Sequence, residues 1–216
     1  MNVIHWLWQL LFPPKCVLCR KLLENGEQDL CRNCRVDAPE YPAGKRKLQF
    51  LDSFTAVWYY EENVRHSLLR YKFYNGRSLS VSYGRLLAMK LLREHPEGFD
   101  VLTWIPISPL RKLRRGYDQC ELLALAVGKE LEMTPVPTLK KVRSNRQQSR
   151  IHGYAQRRAN VLGVYQVPDV KIIRGKRVLM LDDILTTGAT AGEAARVLLT
   201  AGASEVHCAA VAAVRK

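Results

Sequence analysis

The run Val178-Leu179-Met180-Leu181-Asp182-Asp183-Ile184-Leu185-Thr186-Thr187-Gly188-Ala189-Thr190 constrains this chain more than any other stretch. An apolar strand, Lys176 to Leu181, leads into an acidic pair and then a small, hydroxyl-rich loop. A helical pattern from Ala191 to Leu199 follows, with Gly202 placed to end it. In an open α/β sheet, ligands bind beyond the carboxyl ends of the strands. The loop would present backbone N–H groups at a helix N-terminus, which suits a phosphate. Thr186, Thr187 and Thr190 add hydroxyl donors, and Gly188 can take a positive φ and let the backbone close on an anion. Asp182 and Asp183 suit neighbouring sugar hydroxyls, because ionised carboxylates only accept hydrogen bonds. The expectation is a ribose 5-phosphate site. A plain Thr-capped turn from strand to helix would explain the loop but not two adjacent carboxylates.

The remaining pattern alternates strands with helices. Strands are expected at Phe54 to Tyr60, Asp100 to Ile107, Val136 to Val142 and Glu205 to Val214. Helices are expected at Val64 to Phe73, Leu79 to Glu94 and Gln119 to Glu132. Such alternation implies parallel βαβ units. A chain of 216 residues accommodates one main domain and a small module. At 47% hydrophobic and 25% charged it can bury a core and is not disordered.

The small module is marked by Cys16-x-x-Cys19 and, after eleven intervening residues, Cys31-x-x-Cys34. Two such knuckles can supply four thiolates in a tetrahedron, the arrangement structural zinc prefers. Arg20, Lys21, Arg32 and Arg35 flank the thiolates and offset their charge, and Asn25-Gly26 turns the chain between them. Disulfides need an oxidising compartment, and no export signal is visible, so the chain is expected in the cytoplasm. A four-thiolate iron–sulfur cluster is the competing metal. Cys120 and Cys208 are expected to be reduced and buried. A Pro- and Gly-containing linker, Asp37 to Lys47, separates the module from the body and places the domain boundary after residue 47, giving 1–47 and 48–216. The apolar segment Val3 to Phe12 is too short to span a bilayer, which needs about 20 residues. It is expected to be a short helix packed on the body, with no stable membrane insertion.

The formal net charge is +14, and it is unevenly placed. Ile105 to Arg177 carries 16 Lys or Arg against 5 Asp or Glu. A concentrated basic field favours phosphate-rich partners, either a nucleotide or a nucleic acid. Arg111, Lys112, Arg114 and Arg115, followed by Gly116, lie just past the strand ending near Ile107. A pyrophosphate would need neutralising there, and Arg binds it bidentately. A third basic stretch carries Lys140, Lys141, Arg143, Arg146, Arg150, Arg157 and Arg158, and is expected to be a loop. Such a loop can fold over a bound phosphate or bind a nucleic acid backbone, with Tyr154 available for stacking.

The run around Asp182 closely resembles the phosphoribosyl pyrophosphate (PRPP) signature of type I phosphoribosyltransferases. The pieces in order resemble the ComF family, associated with DNA uptake in competent bacteria. The resemblance rests on the four cysteines, Tyr71-Lys72-Phe73 with Gly76-Arg77, Ile105-Pro106-Ile107-Ser108 and Arg115-Gly116-Tyr117-Asp118-Gln119. It continues through Arg157-x-x-Asn160-Val161 to the signature. It implies an α/β phosphoribosyltransferase-like parallel sheet flanked by helices, behind a four-cysteine zinc module. It also implies that Asp182 and Asp183 hold ribose hydroxyls, that Thr186 to Thr190 hold the 5-phosphate, and that Arg111 to Gly116 serve the pyrophosphate. Magnesium would accompany PRPP, and single-stranded DNA and competence proteins would be partners. The family commonly has Asn where this chain has Asp118; an acid there is expected to cap the following helix. The Phe54 to Arg77 segment is expected to form a hood over the acceptor. Three roles are compatible with these pieces: DNA handling, phosphoribosyl transfer to an unknown base or amine, and PRPP sensing without turnover.

Overall fold

The computed structural model describes residues 13–143 and 162–215. Its centre is a four-stranded, all-parallel sheet in the order β1-β6-β5-β2. These strands are Ser53–Tyr59 (β1), Val101–Trp104 (β2), Arg177–Leu185 (β5) and Glu205–Ala213 (β6). Two further strands, Lys140–Lys141 (β3) and Tyr165–Gln166 (β4), form a separate antiparallel ribbon. The helices are Arg32–Asp37 (α1), Glu62–Phe73 (α2), Leu79–Glu94 (α3), Pro109–Arg115 (α4), Gln119–Glu130 (α5) and Ala189–Thr200 (α6).

Strand alternation divides the core into two layers. Leu179 and Leu181 of β5, with Ala209 and Val211 of β6, pack under α3 and α5. Val178 and Met180, with Val206, Cys208 and Ala210, pack under Ala191, Ala194, Ala195 and Leu198 of α6. Both faces are covered, which is why β5 and β6 read as near-continuous apolar runs. Where α3 meets α5 the backbones come very close. A Cβ added at Gly84 would lie 2.8 Å from the Ala126 carbonyl carbon, so only glycine fits there.

The cysteine module shares this core. Cys16, Val17, Leu18, Leu30, Cys31 and Cys34 belong to the same buried cluster as Leu68, Tyr71, Tyr83 and Leu87. Arg70 of α2 donates to the carbonyls of Val17 and Leu18 (3.0 and 2.7 Å), and Arg85 of α3 pairs with Asp29 at 3.0 Å.

Several expectations change. The strand expected to stop at Leu181 runs to Leu185, because pairing with β6 continues from Asp182↔Ala210 to Leu185↔Ala213. The acidic pair therefore sits within the strand, on its two faces. The strand expected over Val136 to Val142 shrinks to β3; Pro135 and Pro137 lack the N–H that a longer ladder needs. Lys140 and Lys141, which fall both in that expected strand and in the expected basic loop, are in the strand. Finally, the basic stretch from Arg111 to Arg115 is helical. Ser108 caps it by accepting from Arg111 N, Pro109 opens it, and Gly116 closes it in the left-handed region at φ +77°. The expected N-terminal helix and the basic residues Arg146, Arg150, Arg157 and Arg158 lie outside the described residues. The hood expectation fails for β1, whose residues Phe54 to Tyr59 are buried in the central sheet.

Candidate functional site

At the carboxyl end of β5 the chain leaves Leu185, passes Thr186 and Thr187, and enters α6 through Gly188. Gly188 is the N-cap residue with φ +84°, a left-handed conformation that L side chains rarely adopt. Thr186, Thr187 and Thr190 are partly exposed, Ala189 is buried, and the Thr187 hydroxyl accepts from Ala189 N at 3.3 Å. The phosphate loop expected from sequence is therefore a strand end joined to a helix N-terminus.

The two acidic residues differ. Asp183 is 3% exposed and committed within the protein. Lys72 of α2 pairs with its Oδ1 at 2.9 Å, and Gln119 of α5 donates to its Oδ2 at 2.8 Å. Asp182, the alternate residue of the strand, is partly exposed, and its carboxylate lies within 4.8 Å of the Asp183 carboxylate and the Cys120 sulfur. One of its oxygens accepts from Asp183 N at 2.8 Å and from the Cys120 thiol at 3.5 Å. Burial pushes the Asp182 carboxyl up to about 7; the Asp183 charge adds to this and Lys72 opposes it. Burial works against a charge on Lys72, but Asp183 and Asp182 outweigh it and hold the ammonium above the usual lysine range. Burial, then the Asp183 and Asp182 charges, push the Cys120 thiol well up, so it stays protonated.

The basic residues separate as well. Arg111 of α4 and Lys141 of β3 lie on the Asp182 side. Burial, reinforced by Arg111, pulls Lys141 down to about 8, while Asp182 and Asp118 pull the other way. Burial and then Arg115 lower Arg111. Arg115 instead lies over the Phe73 ring at 5.0 Å, Arg114 is exposed, and the Gly116 carbonyl accepts from Arg77 at 3.2 Å. Lys140 is exposed, and Arg143 donates to Leu162 O at 2.6 Å. Asp118 caps α5, accepting from Cys120 N at 2.9 Å and Glu121 N at 3.3 Å, and its second oxygen accepts from Ile107 N at 3.1 Å. That second bond ties the segment just after β2 to the start of α5.

Sequence reasoning missed the roles of Lys72 and Gln119. Both stood in motifs that carried the family resemblance, and only the packing of α2 and α5 shows that they hold Asp183. Tyr71 reinforces this arrangement by donating to Gln119 O at 2.5 Å.

The four cysteine sulfurs of the module lie within 4.8 Å of one another, and Cys19 Sγ is 3.7 Å from Cys31 Sγ. Four thiolates on one zinc, at about 2.3 Å each, stand about 3.8 Å apart, so the cluster fits a closed tetrahedral ion. Cys16, Cys31 and Cys34 are buried and Cys19 is exposed. Cys120 and Cys208 are free and buried, as expected. No described helix is long and apolar enough to cross a membrane.

The parallel sheet, its flanking helices and the strand–loop–helix site define a phosphoribosyltransferase-like protein. Residues 120–216 match the phosphoribosyl transferase domain family, and residues 7–45 match the double zinc ribbon domain family. The chain is 30% identical over 195 residues to competence protein ComFC of Streptococcus pneumoniae, covering 88% of this chain and 84% of that protein. It is 24% identical over 216 residues to competence protein F of Haemophilus influenzae, covering 89% and 94%. It is 24% identical over 221 residues to the DNA utilization protein YhgH of Escherichia coli K12, covering 92% and 96%. The chain belongs to the ComF family.

Proposed function

We propose that this protein binds PRPP together with magnesium and acts in the cytoplasm on incoming single-stranded DNA during natural competence. The observation that carries the reading is the loop from Thr186 to Thr190. It opens α6 through a left-handed Gly188, three residues after the end of the strand that carries Asp182. Backbone N–H groups at that helix start suit the 5-phosphate. Asp182, the partly exposed member of the pair, would face the ribose hydroxyls, while Asp183 is held by Lys72 and Gln119 and acts from behind. Arg111 and Lys141 would receive the pyrophosphate; Arg114, Arg115 and Gly116 support the same helix end.

Magnesium binds through one or two carboxylates plus substrate phosphates and keeps several waters. Asp182, the partly exposed carboxylate of the pair, fits that donor set, and the ion would neutralise pyrophosphate charge. Zinc in the cysteine cluster has no open position and is structural.

The DNA role is supported by the names of the relatives, two competence proteins and a DNA utilization protein, and by the excess of basic residues between Ile105 and Arg177. DNA binding through phosphate contacts should weaken steeply with salt. The competence machinery would supply protein partners.

A second reading is a working transferase. Gln119 Oε1 is buried without a hydrogen-bond partner, on the same amide that holds Asp183. An incoming amine or base N–H would satisfy it.

Calorimetric titration of PRPP and magnesium, with and without saturating single-stranded DNA, tests both. Binding of PRPP that shifts with DNA supports the coupled role. Binding indifferent to DNA, followed by pyrophosphate release with an amine or base, supports the transferase. Absence of PRPP binding refutes both.

A further inference from the structure

The linker between the cysteine module and β1 crosses behind the phosphate loop. Arg46 donates from Nη1 to Thr186 O at 2.9 Å and from Nη2 to Thr187 O at 2.7 Å. Leu48 lies against Gly188, where an added Cβ would come within 2.6 Å of Leu48 Cδ2. Gln49 O would stand 3.2 Å from a Cβ at Gly192. The segment is anchored at both ends. Upstream, Tyr41 N donates to Val57 O at 3.0 Å, and Glu40 accepts from Lys90 and Arg93 at 3.1 Å each. Downstream, Asp52 N donates to Val206 O at 3.0 Å, and Asp52 Oδ2 accepts from Val206 N at 2.8 Å.

We propose that Arg46 is a positioning residue for the phosphate site: by clamping the carbonyls of Thr186 and Thr187 from behind, it aims the N–H groups of Thr187 and Gly188 at the 5-phosphate. The reason is the planar trans peptide, in which each C=O and the N–H that follows it point in opposite directions. Two successive carbonyls held on one side turn two successive N–H groups to the other. Successive N–H groups of this kind form an anion-binding concavity, and the left-handed Gly188 continues it. The planar guanidinium fork presents two N–H donors in a fixed relation to the two oxygens, whereas an ammonium is a compact point charge with freely rotating donors. The loop is thereby ordered before any ligand arrives, so binding need not supply the cost of ordering it. Its ligand is the one proposed above, and the inference rests on that reading for the 5-phosphate but not for the clamp.

The test uses the full-length, zinc-loaded protein with Arg46→Lys and Arg46→Gln. Calorimetry measures ribose 5-phosphate and, separately, inorganic pyrophosphate, which has no 5-phosphate. Amide hydrogen exchange is measured without ligand. In Arg46→Lys the expected results are a loss of ribose 5-phosphate affinity of roughly tenfold or more, unchanged pyrophosphate affinity, and faster exchange at Thr187 and Gly188. Exchange in β6 should match wild type, which Arg46→Gln checks against a general loss of folding. Wild-type sugar phosphate affinity in a folded Arg46→Lys protein overturns the proposal. So does equal weakening of both ligands with loss of β6 protection, which would make Arg46 merely structural. If the wild-type protein binds neither ribose 5-phosphate nor PRPP, the PRPP reading itself fails. Exchange at Thr187 and Gly188 then decides the clamp alone, with faster exchange supporting it and unchanged exchange refuting it.

Discussion

Lys72 Nζ lies 2.9 Å from Asp183 Oδ1, with the two side chains 19% and 5% exposed. The pair joins α2 to β5 and neutralises one carboxylate of the acidic signature from inside the protein. Its neighbour Asp182 is the partly exposed member of the two. Two adjacent, identical residues thus have different work, because a strand sends them to opposite faces.

Replacing Lys72 with Met should be costly, since it leaves Asp183 buried with no counter-charge. Breaking one partner of a buried pair destabilises by about 3 kcal/mol or more. In a protein of this size that corresponds to a fall in Tm of roughly 6 °C or more. The double variant Lys72→Met with Asp183→Asn should recover most of the loss, and a four-way melting comparison measures it. Additive losses would contradict the coupling.

Asp182 should make the ligand-free protein less stable as pH rises. Its carboxyl titrates at about 7 in the folded state because burial disfavours its charge, against about 4 in an unfolded chain. Between those values the folded state binds more protons, so stability falls with rising pH and levels off above about 7. Asp182→Asn should flatten this decline and be more stable than wild type at pH 8, with little difference at pH 4. Urea unfolding across that range, without magnesium or PRPP, checks the slope. The same variant should lose PRPP binding while remaining folded.

Zinc removal should affect the whole protein. Cys16, Cys31 and Cys34 share a buried cluster with α2 and α3, so opening the site exposes Leu68 and Tyr83 as well. Metal analysis of fresh, reduced protein should find one zinc per chain. A strong chelator should lower the Tm of the single main transition, without producing a separate early transition confined to the module. Iron in place of zinc would contradict the site assignment.

Gly84→Ala should destabilise although alanine favours helices. The added methyl meets the Ala126 backbone at 2.8 Å, and overpacking of that kind costs about 1–3 kcal/mol. Chemical denaturation should show a lower midpoint with an unchanged slope. Gly98→Ala gives the contrast: its position is open, so any cost comes from its φ of +69° alone.

Helix α3 occupies the very residues that its apolar periodicity indicated, and the cysteine spacing described a tetrahedral cluster before any coordinates. Asp118 was readable as a cap because capping is settled within three residues. Such features are local: propensity, periodicity and turn chemistry act over a few positions, and the residues that decide them stand next to one another.

The features that local pattern left open depend on distant partners. The basic stretch after Ser108 was legible as charge, but its helix, and the selection of Arg111 over Arg114 and Arg115 for the Asp182 side, follow from where α4 lies relative to β3 and α2. The unequal roles of Asp182 and Asp183 required α2 and α5 to deliver Lys72 and Gln119 to one face of β5. Arg46 stands 140 positions from Thr186 in a linker without any motif. Its bond to the loop between β5 and α6 exists because the chain closes around a sheet whose order, β1-β6-β5-β2, brings the start of the body beside its end. Strand pairing and packing set that order across the full length of the chain, which no short window of residues records.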